Sequence, residues 1–321
     1  MKKLLILTST FLSIASAAPV KVFILSGQSN MTGRGTLGDL KKPAPEQKAT
    51  LVRYIMEPKN GDKYKFLYDG PQKNNAGWTI RDDVFITIGE RHGGLTTNFG
   101  GFRYNGFGPE LPIGHLLGDY YKEPVLLVKV AFGGCSLFKD MRPPSSGGTT
   151  GEKYPLIIQG VKTAIEKMPE IVPGHSKEAG YEIVGFFWNQ GESDMSPEAA
   201  PEYEKNLANL INDLRKDLNA PNLKSVIAVT GFGGRNPDIS KAEARAASEQ
   251  VIAAQFAVSK RPEFKDTTIT VETRDFYLPQ DPFGGNKQGI HWHGNGEAYW
   301  LVGEAMGQAM LPLLKSLPVK E

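Results

Sequence analysis

A serine at a glycine-bounded turn can attack an ester carbonyl if an imidazole takes its proton and N–H donors hold the resulting oxyanion. Four segments carry such residues. Ser29 lies in Phe23-Ile24-Leu25-Ser26-Gly27-Gln28-Ser29-Asn30-Met31, directly after an apolar run. Gly-Gln-Ser-Asn is also the composition of a capped turn, so Ser29 as nucleophile requires partners. Two further runs end in comparable loops, Ala131-Phe132-Gly133-Gly134-Cys135-Ser136 and Trp188-Asn189-Gln190-Gly191-Glu192-Ser193-Asp194. Gly133 and Gly134 let the backbone approach a ligand and present an N–H, and the uncharged Gln190 amide can donate a second bond to an oxyanion. By itself a Gly pair is also an ordinary tight turn. The base must come from five histidines. His291 and His293 sit in Gly289-Ile290-His291-Trp292-His293-Gly294, before the last helical segment, while His92, His115 and His175 fall where surface or core roles explain them. If that segment is extended, alternation puts the two rings on opposite sides, so at most one faces Ser29. A His-x-His pair can also bind metal, but no carboxylate or cysteine set accompanies it at ligand spacing, so no metal is expected.

Elements must bring these loops together. Val20 to Leu25, Pro124 to Val130, Glu182 to Phe187, Ser225 to Val229 and Thr267 to Val271 read as short buried strands, rich in β-branched and aromatic residues. Helical spacing marks Glu110 to Tyr121, Pro155 to Lys167, Ala199 to Leu218, Ala242 to Val258 and Gly296 to Leu314. Strands alternating with helices predict an α/β fold with a mainly parallel five-stranded sheet covered on both faces. In a flavodoxin-like order the first strand lies between the second and third, which places the Gly133-Gly134 and Gln190 loops on either side of Ser29. Residues 32 to 107 are too long for a simple connection. With strand-like pieces at Lys65 to Tyr68 and Asp83 to Ile88, they read as a β-rich insertion over the sheet's C-terminal edge.

Charge narrows the partners. The 321 residues hold 37 Lys and Arg against 35 Asp and Glu, with no basic run or aromatic-interleaved basic patch, which argues against a nucleic-acid partner. Met1 to Ala18 reads as a secretory signal: Lys2 and Lys3, an apolar stretch from Leu4 to Ala15, then Ala15-Ser16-Ala17 for cleavage. The stretch falls short of the roughly 20 residues that span a bilayer, so no membrane span is expected. Its removal takes two lysines and leaves a formally neutral chain, 19 to 321, as one domain in an exported compartment. Cys135 is the only cysteine, so stability comes from the core rather than from disulfides.

Together, the Gly27-Gln28-Ser29-Asn30-Met31 run, the Gly133-Gly134 block, the Gln190-Gly191-Glu192 and Asp194 block and the late Gly289-Ile290-His291 resemble the SGNH-hydrolase superfamily. More narrowly they resemble its branch of sialate O-acetylesterases and carbohydrate esterases of family six, which includes acetyl xylan esterases. The resemblance spans most of the chain after the signal. It implies a three-layer α/β/α sandwich and hydrolysis of O-acetyl esters of carbohydrates without a cofactor. Carried over, it makes Ser29 the nucleophile, His291 the base, and the Ser29 and Gly134 N–H groups with the Gln190 side chain the oxyanion hole. Gln28, Asn30, Gly133, Glu192 and Asp194 are supporting residues.

The chain departs from that pattern where the family's acid would stand, three residues before the histidine: the residue is Gln288. Either a backbone carbonyl of that loop orients His291, giving a Ser-His dyad, or Asp281, Asp275 or Glu192 reaches in. Two other functions remain compatible: esterase action on simpler acyl esters, and carbohydrate binding without catalysis. Asn30-Met31-Thr32 matches an N-glycosylation pattern by coincidence with the turn, and Cys135 reads as a small apolar filler. Trp78, Arg81, Asp82, Tyr104 and Asn105 are candidate sugar contacts that packing of the insertion would explain equally well.

Overall fold

The computed structural model describes residues 18–100, 106–231 and 233–315. Nearly all of the expected signal, and Tyr104 and Asn105, lie outside the described residues. The strands are β1 (Val20–Gly27), β2 (Gly35–Thr36), β3 (Val84–Ile88), β4 (Arg91–Gly94), β5 (Gly106–Phe107), β6 (Val125–Ala131), β7 (Tyr181–Asn189), β8 (Lys224–Ala228) and β9 (Thr268–Val271). The helices are α1 (Ser29–Thr32), α2 (Leu51–Ile55), α3 (Glu110–Tyr120), α4 (Tyr154–Glu166), α5 (Met168–Ile171), α6 (Tyr203–Asp217), α7 (Ala242–Lys260), α8 (Gln280–Phe283) and α9 (Gly296–Lys315).

One sheet organises the fold, in the order β4-β3-β6-β1-β7-β8-β9, parallel except for β4. The five expected strands keep the expected order, with β1 between β6 and β7. The count is corrected to seven. Val84–Ile88 is apolar on both faces and pairs parallel with β6, and β4 folds back antiparallel to close the edge. The helix α3 supplies the crossover that a parallel β3–β6 pair requires.

Within the insertion Lys65–Leu67 forms a 3₁₀ turn rather than a strand, and β2 and α2 pack on α9. Thr36 donates to the Gly294 carbonyl and Gly296 N–H to that of Ala49. Trp78 is buried in the core on the α9 side, and Arg81 is tied to Asp83 and Asp119, so neither reads as a sugar contact.

Strand alternation divides the core in two. Ile24, Phe186 and Trp188 face α4, α6 and α7, whereas Phe23, Leu25 and Phe187 face α3 and α9. Each such side chain, fully buried, contributes about 1.5–3 kcal/mol. Among the described residues no helix is long and apolar enough to cross a membrane.

Candidate active site

Ser29 opens α1 immediately after β1, so the turn that carries it is set by how β1 ends. Gly27 has φ +145°, and a Cβ there would meet the Asn189 carbonyl oxygen at 2.1 Å, so only glycine lets β1 and β7 close up at this point. Gln28 N–H then donates to that carbonyl at 3.0 Å, and its Oε1 accepts the N–H groups of Gly191 and Ser193 at 3.2 Å each. The Ser29 turn is thereby stapled to the loop after β7.

His291 arrives from the loop before α9. Its Nε2 lies 2.9 Å from Ser29 Oγ, and its Nδ1 lies 3.0 Å from Gln288 Oε1. Arg34 donates from a guanidinium N–H to the same Gln288 oxygen at 3.2 Å. The group on His291 Nδ1 is therefore the Gln288 side chain and none of the four sequence alternatives. Asp275 is paired with Arg235, Asp281 is exposed, and Glu192 reaches the histidine loop only through Asn30. The Gln288 carbonyl accepts the backbone N–H groups of His291 and His293, not the imidazole. Burial, with the Arg34 charge nearby, pushes the His291 imidazole down to about 4, so it is neutral at pH 7.

His293 turns away from Ser29. Its Nδ1 lies 2.6 Å from the Asn286 carbonyl, and its Nε2 lies 2.7 Å from Tyr277 Oη. The segment is not extended as expected: Trp292 and His293 both sit at φ +54°, and this tight left-handed pair separates the rings. His115 is buried beside Arg81 and held neutral, pushed down to about 3 by burial.

The donors sort by strand parity. The Gln190 side chain is fully buried on the α6–α7 face, its amide nitrogen donating to the Cys135 carbonyl at 3.2 Å and to Asp194 Oδ2 at 2.5 Å. Its Oε1 accepts from Tyr203 Oη at 2.9 Å. Both amide hydrogens are used, so the expected Gln190 oxyanion donor is corrected to a structural amide. One residue earlier the parity reverses. Asn189 ends β7 opposite Gly27, is 4% exposed, and its carboxamide has no partner among the described residues. Sequence reasoning did not single out this amide, for which the 2-residue period of the strand was the available signal. The backbone N–H of Ser29, at the first position of α1, and that of Gly134 likewise lack an acceptor among the described residues. Gly134 adopts φ +74° in the loop that β6 places beside Gly27, and Gly133 next to it is exposed.

Supporting residues tie the loops to one another. Asn30 donates to Glu192 Oε1 at 2.5 Å and to the Ile290 carbonyl at 2.9 Å, and accepts from Tyr299 Oη at 2.8 Å. Buried and fully engaged, it is not placed to carry a glycan. Burial raises the Glu192 carboxyl to about 7, and its Oε2 is buried without a hydrogen-bond partner among the described residues. Asp194 accepts the N–H groups of Leu137 and Phe138 at 2.8 Å each, anchoring the loop that carries Gly134, and burial raises it to about 6. Cys135 lends that loop a carbonyl, with its thiol pushed up by burial. Sequence reasoning also missed Lys129, whose ammonium is fully buried on Glu110 Oε2 at 2.7 Å. It donates further to the carbonyls of Thr32 at 2.8 Å and Phe99 at 3.0 Å, joining the end of α1 to the insertion.

A hydroxyl bonded to a neutral imidazole, at the C-terminal edge of an α/β sheet and beside unpaired N–H donors, is the arrangement of a hydrolase site. Residues 19–311 match the family described as carbohydrate esterase, sialic acid-specific acetylesterase, and the chain belongs to that family. A probable carbohydrate esterase of Arabidopsis thaliana is 26% identical over 227 residues, spanning 70% of this chain and 75% of that protein. A crystal structure of an Arabidopsis thaliana protein superposes with a TM-score of 0.58 at 19% identity, covering 93% of this chain and 99% of the other. NanS superposes with a TM-score of 0.52 at 13% identity, covering 95% and 100%. The two superpositions establish a shared fold.

Proposed function

We propose that this chain is an exported serine esterase that removes acetyl groups from carbohydrates through an acetyl-enzyme on Ser29. The observation that carries the reading is the 2.9 Å contact between Ser29 Oγ and His291 Nε2, with Gln288 Oε1 on the other ring nitrogen. Membership of a carbohydrate esterase family supports the substrate class. Export rests on the sequence of Met1 to Ala18.

His291 takes the Ser29 proton as Oγ bonds to the acetyl carbonyl carbon. The carbonyl oxygen becomes an oxyanion held by the Ser29 and Gly134 N–H groups and the Asn189 carboxamide. The C–O bond to the sugar then breaks, and His291 gives its proton to the departing sugar oxygen. Water, deprotonated by His291, attacks the acetyl-Ser29 carbonyl. Collapse releases acetic acid and returns the proton to Ser29 Oγ. No redox change or cofactor enters this sequence.

The test is acetate release from an aryl acetate and from acetylated sugars by the full chain and its Ser29→Ala and His291→Ala variants. Loss of release in both supports the reading. Equal rates in the parent and Ser29→Ala contradict it.

A further inference from the structure

We propose that Arg34 fixes the tautomer of the His291 imidazole by locking the orientation of the Gln288 carboxamide. Arg34 and Gln288 are positioning residues, and the inference rests on His291 as the base of the proposed esterase. A carboxylate would present an acceptor to the imidazole whichever way it turned. A carboxamide does not: one end accepts and the other donates. Gln288 is exposed, so no packing dictates which end faces inward. Arg34 does. A guanidinium has donors only, so the Gln288 atom 3.2 Å from it must be oxygen.

That oxygen also lies 3.0 Å from His291 Nδ1, which must then carry the proton, and Nε2 is left with its lone pair towards Ser29 Oγ. A flip of the amide would place NH₂ against Nδ1, move the ring proton to Nε2, and leave nothing to accept the Ser29 proton. The chain thus obtains from an Arg-Gln pair what an acid three residues before the histidine would supply by symmetry.

The decisive consequence is non-additivity. Arg34→Met in the parent should lower kcat at least about tenfold, towards the roughly 10⁴-fold cost of an imidazole held in the wrong tautomer. In the Gln288→Glu background, where the two acceptor atoms are equivalent, the same substitution should change kcat within about twofold, the scatter expected of independent sites.

The experiment pairs that double-mutant cycle, measured on the alkaline plateau of each variant, with ¹⁵N NMR of histidine-labelled protein. NMR reads the His291 tautomer without requiring hydrolysis. The expected result is a protonated Nδ1 in the parent, in Gln288→Glu and in the double variant, with Nε2 protonation appearing in Arg34→Met alone. A protonated Nδ1 retained in Arg34→Met, or equal kcat losses in both backgrounds, overturns the inference. Failure of the esterase reading would show separately, as turnover unaffected by Ser29→Ala.

Discussion

Replacing Gln288 by Glu should move the acid limb of the pH–rate profile upward, because it sets a negative charge where the structure has a neutral amide. In the parent, burial and Arg34 push the His291 imidazole down to about 4. The sign follows from chemistry: the base must be neutral, so kcat/KM falls as pH drops through the imidazole pKa and is flat above it. At pH 5 a base of pKa about 4 is roughly 90% neutral, whereas an unperturbed histidine near 6.5 would be only about 3% neutral. The parent should therefore retain about thirty times more of its plateau activity at pH 5 than an unperturbed histidine allows. In Gln288→Glu the carboxylate would sit about 3.0 Å from Nδ1, in place of the amide oxygen. An opposite charge that close raises an imidazole by about one to three units, and Arg34 on the same group keeps the gain towards the lower end. The expected limb is then at about 5 to 6. The assay is kcat/KM for an aryl acetate from acid to mildly alkaline pH at constant ionic strength, for both proteins. A parent limb at or above 6.5, or a variant limb that does not move, would contradict a depressed His291 imidazole held by Gln288.

Other outcomes follow from the same geometry. Asn189→Ala should lower kcat by about 100-fold to 1000-fold with an unchanged melting temperature. Gln190→Ala should instead lower the melting temperature, since it unties Tyr203, Asp194 and the Cys135 carbonyl from one another; thermal melts beside the kinetics separate the two. Lys129→Met should destabilise the fold by about 3–5 kcal/mol in denaturant titration, because it leaves Glu110 buried without its cation. Glu192→Gln should remove part of the pH dependence of stability. The folded carboxyl at about 7 binds its proton more tightly than an unfolded one near 4.5. Its favourable contribution is therefore full below about 4.5 and is lost as pH rises through about 7, a difference of up to about 3 kcal/mol. Denaturant midpoints across that window should show the parent losing stability relative to the variant.

What the sequence revealed followed from local pattern. Unbroken apolar runs gave the five strands β6, β1, β7, β8 and β9, and Ser29, Gly134 and His291 could be placed because each lies in a loop between such a strand and a helical segment. Where the outcome depended on partners distant in sequence, pattern was silent. Val84–Ile88 reads as a strand on its own, but joining the main sheet depends on the α3 crossover returning it to β6. Lys129 in an apolar strand would ordinarily mark a solvent-facing position, and only Glu110 at the start of α3 makes it internal. Gln190 and Asn189 differ by one step of strand parity, so the end of β7 decides which amide is free. Nothing in the types of Arg34 and Gln288, 254 positions apart, announces that they meet at His291.

The central claim is that Ser29 is the nucleophile, and covalent trapping tests it most directly. The full chain would be treated with an aryl sulfonyl fluoride, digested and analysed by mass spectrometry, alongside Ser29→Ala. A single sulfonyl adduct is expected on the peptide that contains Ser29, with matching loss of acetate release, and none in the variant. An adduct on another residue accompanied by loss of activity, or full activity in protein fully modified at Ser29, would contradict it.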